Sequence, residues 1–223
     1  MSRSRIASAV AALVLSFATT LTACGGTNTS ESDSTGSGDE SGQDAKAATQ
    51  YNRLTKAQLE RVLLTIDDLP PGYSADPKGE SSGGSNYCGS APPKSPARSK
   101  ARQDFTKGGG LGSELASVSV VQYRSPAAAS RHFKRLRTGL KTCKGETAAG
   151  ENVTYALMST PKTGHPTLGV RVTAADFTVV INIAQVGPSL VNSGSGGLTN
   201  TDADLAASLI KQQVVKYHAA ATG

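Results

Sequence analysis

The chain has 223 residues, a net charge of +6, 37% apolar residues and no tryptophan. That composition supplies the core of one ordinary domain and excludes a chain built of several. Beyond residue 23 no segment approaches the roughly 20 consecutive apolar residues that a membrane-spanning helix requires.

Arg3 and Arg5 precede a mostly apolar stretch from Ile6 to Leu21, which leads into Leu21, Thr22, Ala23 and Cys24. This order reads as a lipoprotein signal peptide over residues 1–23. The charged end stays in the cytoplasm, the apolar run enters the export channel, and small residues before Cys24 let the peptidase reach the bond. Cys24 is then the lipidated N-terminus, carrying diacylglycerol and acyl groups such as palmitate. Plain secretory cleavage is the alternative. A retained span is disfavoured because the run is short and contains Ser8, Ser16, Thr19 and Thr20. Residues 24–50 follow as a tether rich in Gly, Ser and acidic side chains. Glu31, Asp33, Asp39, Glu40 and Asp44 stand there against Lys46 alone, and without large apolar residues the segment cannot bury a core.

The domain proper occupies residues 51–223. Thr55 and Gln58 have capping-box spacing, and Leu59, Val62, Leu63 and Ile66 follow with helical periodicity until Pro70, Pro71 and Gly72 stop the helix. Tyr73 to Asp76 reads as a short strand and Ser82 to Lys100 as a Gly, Ser and Pro-rich excursion. Ala97 to Phe105 reads as a short helix, broken by Gly108, Gly109 and Gly110. Leu115 to Tyr123 reads as a strand. Ser125 and Pro126 give an N-cap and N1 pair for a helix whose apolar stripe is Ala129, Phe133, Leu136, Leu140 and Cys143. Strands are expected at Val153 to Ser159, Leu168 to Thr173 and Phe177 to Val186, the last two joined as a hairpin at Ala175 and Asp176. Gly187 to Leu198 reads as a flexible loop. Thr201 is expected to cap a final helix packed through Leu205, Leu209, Ile210, Val214 and Tyr217. The sum is an α+β domain, a single antiparallel sheet flanked by helices.

With Cys24 lipidated, Cys88 and Cys143 remain. Two thiols in an oxidising compartment read as one disulfide. It would close a loop of about 55 residues and stabilise by about 4 kcal/mol before strain. A metal pair or a free thiol is the alternative, although His132, His165 and His218 share no ligand spacing with either cysteine.

The stretch Leu-Leu-Thr-Ile-Asp-Asp-Leu-Pro-Pro-Gly-Tyr from Leu63 to Tyr73, the later Cys88, and the block from Val118 through Val-Gln-Tyr-Arg-Ser to Cys143 resemble the PknH-like extracellular sensor domain family. The resemblance covers about residues 55–218. That family occurs on actinobacterial receptor kinases and on lipoproteins. The resemblance implies a twisted antiparallel sheet with flanking helices and a cleft for an unidentified ligand. Its better-studied members carry two disulfides, whereas this chain has cysteines for one. No kinase is attached here, so a sensing output would pass through a partner.

Chemistry-bearing motifs are sparse. No Gly-x-Ser-x-Gly elbow accompanies the histidines, and the glycine runs at Gly108 and at Gly194 to Gly197 lack the Lys-Ser/Thr ending of a phosphate loop and read as linkers or mobile lids. Asp67 and Asp68 are adjacent only in sequence. No catalytic activity and no cofactor or metal are expected. Charge is informative: from Tyr51 onward there are 20 Lys and Arg against 12 Asp and Glu, a net of +8. Arg131, Lys134, Arg135 and Lys141 fall opposite the apolar stripe of their helix, with Arg137 and Lys144 beside it. A solvated face is one reading of this ridge, and a docking surface for anionic lipid or cell-wall polymer is the other. Nucleic acid is a poor partner, because aromatic residues are scarce and the compartment is wrong.

These observations point to a lipid-anchored binding or sensing lipoprotein on the extracytoplasmic face of the cell membrane, with an unknown ligand or envelope protein as partner. A carrier of a lipid or other apolar molecule between sheet and helices is the first alternative, and an enzyme with an unfamiliar site the second. A carrier calls for a deep cavity lined by Val, Ile, Leu and Phe, and a sensor of polar ligands for an open cleft with Tyr, Arg and Asn.

Overall fold

A computed structural model describes residues 49–77, 97–148, 151–198 and 201–223. The expectations placed on Arg3 to Cys24, on the tether as far as residue 48 and on Cys88 lie outside the described residues.

Thr55 starts helix α1 (Lys56–Arg61) with the expected capping box: its hydroxyl accepts from the Gln58 amide and the Gln58 side chain accepts from the Thr55 amide. The helix is shorter than its periodicity predicts. Gln213 ends it, donating to the Val62 carbonyl at 2.8 Å and accepting from the Leu64 amide at 2.9 Å. Those backbone groups would otherwise have entered the next turn. Leu63 and Leu64 still reach the core, while Ile66 belongs to a separate 3-10 turn over Ile66–Asp68. Asp68 closes that turn by accepting from the Thr65 amide and also pairs with Lys216 at 3.3 Å, so the adjacent Asp67 and Asp68 do not act as a carboxylate pair.

Strand β1 (Tyr73–Ala75) is as expected. Residues expected to form a helix from Ala97 to Phe105 instead form β2 (Ser99–Lys107), which pairs along its full length with β3 (Glu114–Gln122). The buried pair Ala101 and Phe105 stands four apart, a spacing that fits one face of a helix and one face of a strand equally. Partner strands on both sides decided between them. Helix α2 (Pro126–Thr142) begins at Ser125, whose hydroxyl accepts from the Ala128 amide, with Pro126 in the first turn.

A short strand the periodicity did not show, β4 (Gly145–Ala148), pairs with β5 (Glu151–Met158). β6 (Thr167–Ala174) and β7 (Phe177–Val186) form the expected hairpin, with Ala175 in the left-handed region at φ 39°. The expected flexible loop after Gly187 is in fact β8 (Ser189–Gly197), a central strand between β3 and β7. Helix α3 (Ala203–Thr222) is capped by Asp202, which accepts from the Leu205 amide at 2.7 Å. Thr201, the expected cap, donates to the Thr178 carbonyl instead.

The eight strands of the described residues form one antiparallel sheet in the order β1-β2-β3-β8-β7-β6-β5-β4, so the fold is α+β. One apolar core joins α1 and α3 to one face through Phe105, Val118, Val120, Val186 and Val191; a second joins α2 to the other face through Leu168, Val170, Ile183 and Leu190. Residues 49–223 form one compact unit and hold the described residues of both cores, the apolar contacts that a domain needs to fold. Among the described residues no helix is long and apolar enough to cross a membrane.

Candidate functional site

The register of the central strands lays out the α2 face of the sheet as a grid. Arg102 lies opposite Ser119, Ser119 opposite Asn192, and Asn192 opposite Ile183. In the next row Asp104, Ser117, Gly194 and Ile181 stand side by side. Each strand therefore contributes a different chemistry: charge from β2, small hydroxyls from β3, an amide and bare backbone from β8, and an apolar row from β7. Because alternate residues share a face, Ser117 and Ser119 face this side while Val118 and Val120 face the α3 core.

Helix α2 covers only part of this face. Beside it lies an open cleft of about 520 Å³, within the ~300–1,000 Å³ range of small-molecule sites. Ser117, Ser119 and Asn192 form its polar floor, Val179 and Ile181 its apolar floor, and His132 and Leu136 of α2 its wall. Gly194 and Gly196 keep the middle of the floor low. A Cβ on Gly194 would stand 3.0 Å from the Ser117 hydroxyl oxygen, and one on Gly196 would stand 2.8 Å from the Val179 Cα, a distance real side chains do not adopt. These are the glycines read from sequence as linkers or lids; they form the base of the cleft.

Hydrogen bonds organise the polar side. Asn192 donates to the Ser119 hydroxyl at 3.1 Å. At the β2 rim Arg102 grips Asp104 through Nε at 2.8 Å and a second nitrogen at 2.7 Å, and Thr106 donates to the Asp76 carboxylate at 2.8 Å.

At the α2 end, Tyr123 and His132 meet with ring centroids 5.4 Å apart, and both line the cleft. Burial drives the His132 pKa down to about 4, assisted by the neighbouring Arg135 guanidinium, so the ring is neutral near pH 7. Burial pushes the Tyr123 hydroxyl up to about 12, with Arg135 opposing. Among the described residues no group of three or more His, Cys, Asp or Glu stands together as a metal site.

The basic ridge is only partly as read from sequence. Arg131, Lys134 and Lys141 are exposed, as are Arg137 and Lys144. Arg135 departs from the ridge: it is half-buried, its Nη2 donates to His132 Nδ1 at 3.2 Å, and its Nε is buried. His132 sits on the buried side three residues earlier, and the i, i+3 spacing draws the guanidinium toward it. Cys143 is half-buried at the C-cap of α2, with its sulfur 3.3 Å from the Gly145 carbonyl oxygen. Cys24 and Cys88 lie outside the described residues.

Sequence reasoning missed Tyr123, His132, Asn192 and the cleft floor. One signal was available: the Val and Ser alternation over Leu115 to Tyr123 gives a strand with one apolar and one polar face, and a central strand with a polar face calls for a reason.

An α+β domain with an open cleft of mixed polarity is thus defined by fold and site. The chain belongs to the PknH-like extracellular domain family, whose pattern matches residues 54–216. Among solved structures, the crystal structure of the extracellular domain of PknH from Mycobacterium tuberculosis is similar in fold, with a TM-score of 0.60 and 14% identity, covering 77% of this chain and 100% of that one. No curated protein matches the sequence.

Proposed function

We propose that this protein is a lipid-anchored binding or sensing lipoprotein on the extracytoplasmic face of the bacterial cell membrane, which holds a small ligand in the cleft without transforming it. The observation that carries this reading is the cleft of about 520 Å³ on a sheet face that α2 leaves open. Membership of an extracellular domain family supports the compartment, and the Leu21 to Cys24 lipobox supports the anchor through acyl groups on Cys24. The cleft combines the Asn and Tyr of a polar site with the Val and Ile row of an apolar one, so the ligand is two-sided. A disulfide between Cys88 and Cys143 would tie the segment after Pro77 to the C-terminal end of α2, one wall of the cleft. The exposed Arg131, Lys134 and Lys141 suit anionic lipid or cell-wall polymer near the anchor.

Native mass spectrometry of the protein purified from its own membrane tests the cleft. Wild type should retain a small molecule that Ser119→Trp, which fills the floor, releases; retention by the variant, or wild type that carries nothing, overturns the reading. Cys24→Ala should lose acyl mass and membrane retention, and a wild-type protein without acyl mass ends the anchor. Non-reducing peptide mapping should join Cys88 to Cys143; two alkylatable thiols in the native protein would end the disulfide.

A further inference from the structure

The α2 end of the cleft holds polar groups that the described residues leave unused. Tyr123 is 3% exposed and His132 7% as whole residues, but their polar atoms open on the cleft that both line, since Arg135 Nε alone among the described side-chain N and O atoms is buried without a hydrogen-bond partner. Among the described residues neither the Tyr123 hydroxyl nor His132 Nε2 has one. Arg135 settles the state of the imidazole. A guanidinium offers only hydrogens, so the 3.2 Å contact from Arg135 Nη2 makes His132 Nδ1 the acceptor and leaves the ring proton on Nε2. His132 is therefore a neutral N–H donor on the cleft wall, beside a second donor in Tyr123.

Charge at this end is unbalanced. Arg135 Nε is buried without a hydrogen-bond partner, and among the described residues no carboxylate pairs with its guanidinium. Helix α2 itself contains no acidic residue. Two neutral donors in the field of a cation that no described carboxylate neutralises form a site suited to an anion.

The register shows what such an anion would be attached to. From this end the β7 row Ile183, Ile181, Val179 and Phe177 runs along the cleft floor, a length of roughly 20 Å at about 3.4 Å per strand residue. Beside it Gly194 and Gly196 raise no side chain. A narrow apolar strip of that length fits an extended hydrocarbon chain.

We propose that the cleft binds a long-chain carboxylate, its oxygens accepting from Tyr123 Oη and His132 Nε2 beside Arg135, its hydrocarbon along Ile183, Ile181, Val179 and Phe177. This deepens, and rests on, the reading of the cleft as a ligand site. The alternative source of the same apolar tail is a neutral lipid alcohol, which the two donors and the cation do not select.

The test titrates residues 49–223 with palmitate and, separately, with hexadecanol, by calorimetry and by ¹H–¹⁵N spectra of the His132 ring. Palmitate should bind at least tenfold more tightly than hexadecanol and should shift the His132 Nε2–H signal. Tyr123→Phe and Arg135→Gln should each weaken palmitate at least tenfold while changing hexadecanol less than twofold. Equal binding of the two probes, or variants that weaken both alike, overturns the carboxylate while leaving the cleft as a ligand site. Binding of neither probe also overturns it, and the copurification experiment above then decides the cleft independently. Should a variant fail to fold, an unmoved His132 signal in palmitate-saturated wild type is sufficient to reject the assignment.

Discussion

The two faces of the central sheet are built from the same strands yet do opposite things. On the α3 face β3, β8 and β7 present Val118, Val120, Val191, Ala184 and Val186 to Leu209, Ile210, Val214 and Tyr217, all buried. Where β8 is polar there, the polarity is satisfied: Ser193 donates to the Ala206 carbonyl at 2.7 Å and Ser189 meets the Tyr217 hydroxyl at 2.7 Å. On the other face the same strands present Ser117, Ser119, Asn192 and bare glycine to a cleft. Alternation along a strand lets a chain place its stability on one side and its binding chemistry on the other, with little interference between them.

That separation can be broken most severely from the α3 side. Phe105→Ala removes a fully buried ring beneath α1 and is expected to cost about 3–5 kcal/mol in urea unfolding. A loss below about 1 kcal/mol would show that this face is not the stabilising one.

Acid attacks the boundary between the faces. His132 titrates near 4 in the folded protein against an ordinary 6.5. Its folded pKa is depressed, so the unfolded chain takes up the proton first: the contribution is complete above about pH 6.5 and lost as pH falls through 4. The loss is at most about 3 kcal/mol. Urea titrations at pH 7 and pH 4 should show a larger drop for wild type than for His132→Gln, and equal drops would remove His132 from the account. Tyr123 gives the opposite sign, its contribution fading as pH rises from 10 toward 12.

Gly196→Ala sharpens the comparison from the cleft side. Its new Cβ meets the Val179 backbone, so strand β8 must shift, at an expected cost of about 1–3 kcal/mol by thermal or urea unfolding. By contrast Phe177→Ala, half-buried at the open end of the same face, should cost under about 1 kcal/mol in the same assay. Smallest of all, replacing Arg131, Lys134 and Lys141 with Gln should change stability by no more than about 0.5 kcal/mol. If the ridge docks on anionic surfaces, that triple variant should lose the salt-sensitive part of binding to vesicles of phosphatidylglycerol, and unchanged binding would leave the ridge a solvated helix face.

How much of this was legible in the sequence differs between the two faces. The capping box at Thr55, the Ser125 and Pro126 start of α2, and the stripe Leu205, Leu209, Ile210, Val214 and Tyr217 on α3 were all readable, because helix signals are local and their apolar period is long. The β6–β7 hairpin was readable for the same reason, since β-branched runs and a two-residue turn are close in sequence. The cleft was not. Its floor is β8, whose sequence Ser-Leu-Val-Asn-Ser-Gly-Ser-Gly-Gly has the composition of a loop. It becomes a strand only because β3 and β7 hydrogen-bond to it from both sides and α3 requires small residues against its back.

By itself, then, the sequence determined where α1 and α2 begin, which faces of the three helices are apolar, the α+β class, and the likeness of its short motifs to a sensor-domain family. It could not determine that Ala101 and Phe105 share a strand face, that Arg135 turns under α2 to meet His132, or that a glycine-rich segment lies at the centre of the sheet. The two strand outcomes depend on partners far away in the chain, and the Arg135 contact, local as it is, depends on the sheet burying His132. A spacing of four fits both helix and strand, and a glycine run has no side chains with which to declare a period, so only the neighbouring strands could decide.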